Sequence, residues 1–279
     1  MVKFNTSYLK ILLAAIIWGS SGAFIKYIDL HPYLITFFRT AVPVVLIGSF
    51  SNWKDLRTIF TASRLMFFAS LLNAVRLIFY FIGFTYAPIG NAVIILYTWP
   101  VFALVLSRIY LKEPLPPKNI VLLIISMIGI GFIYIDKEIA FDNEVFLGML
   151  AMLFSSFIYA LTVIIFKKES PNFSNWSIVF HQNFVGAVLF TIIFITFPEK
   201  PDTTQSLVSV VYAVLIGIAG YGLFFSALRK IKASSASFIA YIEVVSGIMF
   251  GVFLFNETLT WNVILGGLLI IGSSILLKK

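Results

Sequence analysis

Arg76 and Glu243 stand where charge is expensive. Each falls near the middle of an apolar run long enough to cross a bilayer, and a charge at that depth costs several kcal/mol unless it faces water or a partner. An arginine so placed can hold a carboxylate through its forked donors. A glutamate can accept an ammonium group or carry a coupling proton. Together they suit a zwitterionic solute held between them; the structural alternative is an ion pair that locks two helices. Asn73, Tyr80, Asn91, Tyr97, Trp99, Tyr221 and Tyr241 lie in the same or neighbouring runs. Small-molecule pockets are mostly apolar and aromatic with a few oriented polar groups, so these seven join Arg76 and Glu243 as candidate substrate contacts.

His181, beside Gln182 and Asn183, is a second proton-coupling candidate, because an unperturbed imidazole titrates near neutrality. A hydrogen bond between packed helices explains it equally well. Arg39 lies close enough to the end of its run for its stem to reach water, which favours a structural or gating role over substrate contact. Trp18 and Pro100 fall in the same structural or gating group, and both Pro43 and Pro100 are expected to kink their helices. The Gly247–Gly251 pair, and Gly217, Gly220 and Gly222, permit close helix approach within the fold. Trp53, Tyr134 and Trp176 at run ends read as interface anchors.

The residues also exclude chemistry. There is no cysteine, so thiolate metal sites and disulfides are ruled out. Two histidines and one mid-run carboxylate do not supply the nucleophile–base pair, paired carboxylates or metal cluster of an intramembrane enzyme. No GxxxxGK[ST] stretch is present, which argues against ATP-driven pumping by this chain. No catalytic residue, metal or cofactor is expected.

The elements that position these residues must be membrane helices. The 279 residues are 60% hydrophobic and 11% charged, with a mean hydropathy of +1.01, against about 25% charged in a soluble domain. Spans are expected near 9–28, 33–50, 65–84, 88–107, 119–135, 145–166, 176–197, 207–228, 233–255 and 261–277. The first is read as a retained span, since no small-residue cleavage site follows it. The formal charge of +8 does not imply nucleic acid, because the basic residues cluster between spans.

With the N-terminus inside, Lys3, Lys10, Lys54, Arg57, Arg64, Arg108, Lys112, Lys118, Lys167, Lys168, Arg229, Lys230, Lys232, Lys278 and Lys279 fall on one side. Lys26, Lys137 and Lys200 fall on the other, with Arg39 and Arg76 inside spans. That asymmetry follows the positive-inside rule and puts both termini in the cytoplasm. The acidic stretch Asp136, Glu138, Asp142 and Glu144 falls outside. A multi-pass inner-membrane protein, a monomer or weak dimer, is expected.

The halves also repeat. Ala92–Glu113 (AVIILYTWPVFALVLSRIYLKE) matches Ala236–Glu257 (ASFIAYIEVVSGIMFGVFLFNE), which sets Tyr97 on Tyr241, Trp99 on Glu243 and Glu113 on Glu257. Trp18–Lys26 lines up with Tyr159–Lys167, and Arg39 with Gln182. Five spans per half is odd, so the halves must cross in opposite directions, as in many secondary transporters. The expectation is an all-α integral membrane protein of ten transmembrane helices, built as two inverted five-helix repeats, 1–137 and 145–279, around a central cavity.

The tandem order of Trp18-Gly-Ser, Arg39, and Pro100-Val-Phe-Ala…Leu111-Lys-Glu-Pro-Leu115 resembles the drug/metabolite transporter superfamily, and within it the ten-helix EamA type. Ile242-Glu243-Val244…Phe255-Asn256-Glu257-Thr258-Leu259 resembles the same element, with Val244 where the family often has proline. The resemblance implies peripheral fifth and tenth helices. It also implies a carrier of amino acids, nucleotide-sugar-like compounds or drugs, with export favoured. Tyr97-Thr98-Trp99-Pro100 is similar to an element of exporters handling aromatic amino acids. The working expectation is secondary-active movement of a small amphipathic metabolite by alternating access, with coupled protons. Import of a nucleotide- or vitamin-like metabolite, or a non-transport intramembrane enzyme, are the alternatives.

Overall fold

The structure is a computed structural model, and it describes residues 6–50, 64–136 and 141–277. Trp53, Lys3, Lys54, Arg57, Lys137, Glu138, Lys278 and Lys279 lie outside the described residues. Among the described residues the chain is all-helical. In order come α1 (Thr6–Ile28), α2 (Pro32–Phe50) and α3 (Arg64–Tyr86), then α4 in two pieces, Ile89–Leu96 and Trp99–Tyr110. They are followed by α5 (Pro117–Ile133), α6 (Asn143–Glu169), α7 (Asn175–Thr196), α8 (Thr203–Leu228), α9 (Ala233–Phe255) and α10 (Trp261–Leu277). Eight are long and apolar enough to cross a membrane. The 17-residue helices α5 and α10 reach about 25 Å at 1.5 Å per residue, the short end for a span.

Local chemistry starts and stops these helices. Asp142 and Ser174 accept the N–H groups of Val145 and Ser177 at the starts of α6 and α7. Asp202 and Gln205 form a reciprocal capping box at the start of α8, satisfying donors that the first turn leaves open. Helix α2 runs through Pro43 without interruption. The missing N–H of Pro43 frees the carbonyl of Arg39, and Gly217 packs directly against both that carbonyl and the proline ring.

Contacts at helix ends fix the alternation of direction. Lys10, at the start of α1, donates to Ser226 at the end of α8. Gln205, at the start of α8, donates to the carbonyl of Ile28 at the end of α1. The packing repeats between halves: α1 lies on α9 as α6 lies on α4, α3 on α6 as α8 on α1, and α2 on α8 as α7 on α3. Helices α2 and α7, α4 and α9, and α5 and α10 pack on each other. The α5–α10 pair closes on glycine: a Cβ on Gly129 would meet the Gly266 carbonyl at 2.7 Å. Beside it the Ser126 and Ser273 hydroxyls bond at 2.6 Å. Many large apolar side chains face outward, Phe253 and Trp261 among them, as a lipid-solvated surface requires.

Candidate functional site

Four helices change character around one cavity. Helix α1 is interrupted at Ser20, whose hydroxyl turns back to the Ile17 carbonyl at 2.6 Å. Helix α4 breaks at Tyr97-Thr98 and α9 at Ala240-Tyr241, positions that the repeat aligns. Helix α8 widens into a π-helical stretch at Ala213–Gly220. Interrupted spans at matching positions of two halves mark where a polar site can be built inside lipid. The breaks satisfy one another: the Tyr241 hydroxyl donates to the Tyr97 carbonyl at 2.9 Å. In α4 the break coincides with Pro100 in the first turn of the second piece.

Between these helices lies a cavity of about 460 Å³, with Trp18, Arg39, Arg76, Tyr80, Tyr97, Trp99, Tyr159, Tyr212, Tyr221 and Glu243 among its walls. That size suits a metabolite. Arg76 is 5% exposed. Its Nε donates to Asn73 Oδ1 at 3.1 Å, and Asn73 Nδ2 donates to the Gln182 carbonyl at 2.7 Å. The Arg76 guanidinium carbon lies 4.6 Å from the centre of the Tyr159 ring, a cation–π distance. Its Nη2 is buried with no hydrogen-bond partner, as is Gln182 Oε1. An arginine held by one edge with its other donor open is built to receive an acceptor.

Arg39 donates from Nη2 to the Tyr221 hydroxyl at 3.0 Å, so it borders the same chamber. The Glu243 carboxylate lines the cavity as well. Among the described residues the ion pairs are Lys26–Glu257 and Lys167–Glu113, so neither arginine is paired with Glu243.

The repeat arranges these groups. Trp18 of α1 meets Tyr221 of α8 with ring centres 4.9 Å apart, as Tyr159 of α6 receives Arg76 of α3 at 4.6 Å. Trp99 of α4 meets Tyr159 at 4.8 Å. Equivalent positions thus carry different chemistry: Trp18, Arg39 and Trp99 in one half stand against Tyr159, Gln182 and Glu243 in the other. The arginines of the chamber come from one half and its carboxylate from the other, with tyrosines from both.

Of the residues expected at the site, Arg76, Glu243, Tyr80, Tyr97, Trp99 and Tyr221 line the cavity, together with Trp18 and Arg39. Asn73 sits behind Arg76. Asn91 donates to Met149 Sδ at 3.1 Å, between α4 and α6. Tyr241 is fully buried beneath Tyr97, and His181 lies against the Ser177 carbonyl at 2.7 Å in the core of α7. Tyr159 and Tyr212 line the chamber without having been singled out from sequence. The signal for Tyr159 was its alignment with Trp18; Tyr212 had none, since its place depends on the π-helical turn after it.

A polytopic helical protein whose interrupted spans enclose a chamber has an architecture found among membrane transporters. The EamA-like transporter family matches the chain twice, over residues 5–135 and 146–278, and the chain belongs to that family. The uncharacterized transporter YoaV of Bacillus subtilis (strain 168) is 26% identical, over 94% of this chain and 93% of its own. A protein of Rickettsia bellii (strain RML369-C) named as an S-adenosylmethionine uptake transporter is 24% identical, over 95% and 90%. A solved crystal structure shares the fold at a TM-score of 0.81 and 16% identity, covering 98% of this chain and 96% of that one. Family membership makes transport the work of this chain.

Proposed function

We propose that the chain is a secondary-active transporter that moves a small zwitterionic metabolite, an amino acid or close relative, outward by alternating access. The observation that carries this reading is the unpartnered Nη2 of Arg76 in the same chamber as the unpaired carboxylate of Glu243. A substrate carboxylate would take the Arg76 fork, its ammonium group would face Glu243, and an apolar side chain would lie among the tyrosines and tryptophans. Glu243 would exchange that ammonium for a proton, coupling transport to the proton gradient. The two matched regions would be inverted repeats related by an axis in the membrane plane, each contributing one wall. The Lys/Arg asymmetry supports an inner-membrane protein with both termini cytoplasmic, working as a monomer or weak dimer.

A second reading is uptake. The Rickettsia relative named for S-adenosylmethionine uptake would handle a solute that also bears a carboxylate and an ammonium group, with an aromatic base for the tyrosine walls. Counterflow in proteoliposomes against labelled amino acids and S-adenosylmethionine, with an imposed pH gradient, tests both. Accumulation of an amino acid driven by an opposing proton flux supports the first reading. Failure of every carboxylate-bearing solute overturns both.

A further inference from the structure

The two ion pairs among the described residues are the same pair, made twice. Glu113 follows α4 and Glu257 follows α9, at the repeat offset that sets Tyr97 on Tyr241. Each is presented by the same turn. Lys112 and Asn256 adopt left-handed φ of 54° and 53°. The following glutamate N–H then bonds to the carbonyl of Ser107 at 3.2 Å in one case and Gly251 at 3.3 Å in the other, the glycine-type helix stop. Their partners, Lys167 near the end of α6 and Lys26 near the end of α1, are equivalent in the Trp18–Lys26 and Tyr159–Lys167 alignment. The glutamate turns being equal, the difference between the pairs lies in the helices packed around them.

The difference is large. Lys167 and Glu113 are 3.3 Å apart, with side chains 16% and 11% exposed. Glu113 also accepts from the Ala233 and Ser234 N–H groups at the start of α9, at 3.0 and 3.5 Å. Lys167 donates to the carbonyls of Leu228 and Ile231 in the α8–α9 connection. That knot ties α4, α6, α8 and α9 together at one end of the bundle. At the other end Lys26 and Glu257 are 3.7 Å apart and more than half exposed. The residues leading to them follow suit. Gly22 and Ile25 line the cavity and are exposed, whereas their equivalents Val163 and Phe166 are buried at 1% and 0%.

We propose that Lys167–Glu113 and Lys26–Glu257 are the two gates of the transport cycle, one ion-pair latch used alternately at opposite ends. This structure is the state with the Lys167–Glu113 latch shut and the chamber open at the Lys26–Glu257 end. In the opposite state Lys26 takes up backbone carbonyls at the end of α3, as Lys167 does here at the end of α8. The buried Glu113–Lys167 knot loosens into an exposed pair. This inference rests on the alternating-access reading above.

The absence of native cysteine gives a direct test in the full-length protein in nanodiscs. Single Ile25→Cys and Val163→Cys variants report thiol labelling at each end. Glu113→Gln is expected to raise the Val163→Cys rate by about tenfold or more and lower the Ile25→Cys rate, a buried pair being lost. Glu257→Gln is expected to do the reverse by less than about fivefold, an exposed pair being lost. Glu113→Asp, which keeps the charge and the acceptor oxygens for Lys167 and the Ala233 N–H, is expected to hold the Val163→Cys rate nearer its starting value than Glu113→Gln does, which guards against mere misfolding. If both glutamate variants move the two rates in the same direction, or neither moves them, the latch is overturned. Spin labels on Tyr27→Cys and Leu254→Cys, across the Lys26 end, separate this from the underlying reading. Two distance populations whose ratio ignores both variants overturn the latch alone. A single population in every background overturns alternating access itself.

Discussion

The guanidinium carbon of Arg76 lies 4.6 Å from the ring centre of Tyr159, so a cation from the first half of the chain rests on an aromatic face from the second. Asn73 holds the Nε edge and Tyr159 supports the plane, which leaves Nη2 for a ligand. A bond to a charged donor is worth about 2 kcal/mol, roughly thirtyfold in affinity. Arg76→Lys keeps the charge and loses the fork. It is expected to weaken substrate binding by about that factor, and Arg76→Ala to abolish transport, with both variants still inserted and folded. Scintillation-proximity binding alongside size-exclusion profiles checks this; full affinity in Arg76→Ala would remove the arginine from the site.

Tyr159 has two separable contributions. Tyr159→Phe keeps the cation–π face, and Tyr159→Leu removes it. With such a contact worth about 1 kcal/mol, the leucine variant is expected to bind roughly fivefold more weakly than the phenylalanine one. Equal affinities in the two would show that the ring face does not steady Arg76.

Glu243→Gln separates coupling from binding. Substrate exchange across the membrane is expected to persist at reduced affinity in the variant, the ammonium group losing a charged acceptor, while accumulation driven by an imposed pH gradient disappears. Transport by the wild type should vary with pH and that of the variant should not. Gradient-driven accumulation by Glu243→Gln in proteoliposomes would move the proton site elsewhere, with His181 the next residue to test.

Two glycines test packing at different distances from the chamber. A Cβ on Gly19 would approach Ser246 Oγ to 1.9 Å, the Gly247 nitrogen to 2.7 Å and the Glu243 carbonyl to 2.8 Å. Gly19→Ala must therefore push α1 off α9 beside Glu243. Such overpacking costs about 1–3 kcal/mol, and both the Tm in detergent and transport are expected to fall. Gly266→Ala forces apart α5 and α10, where the added Cβ would meet the Gly129 carbonyl at 2.3 Å. Its Tm is expected to fall similarly while transport per folded molecule holds. Unchanged transport in Gly19→Ala would show that α9 carries Glu243 without help from α1.

The amino-acid sequence by itself determined that this chain lives in lipid, where its helices run, and that its halves are copies. Apolar length and hydropathy act locally, and each span declares itself without reference to the others. Arg76 and Glu243 were legible for the same reason, since a charge within an apolar run stands out whatever surrounds it. Only the tertiary structure decided which aromatics share their chamber. Tyr97 and Tyr241 are equivalent in the repeat, yet one lines the cavity and the other lies buried beneath it, bonded to its partner's carbonyl. Tyr159 entered through an alignment and Tyr212 through a π-helical turn, and neither signal exists in residue type alone. The pairing of Lys167 with Glu113 and the looseness of Lys26 with Glu257 are likewise invisible in sequence. The two pairs have the same letters and the same glutamate turns, and they differ in the helices that the fold packs around them.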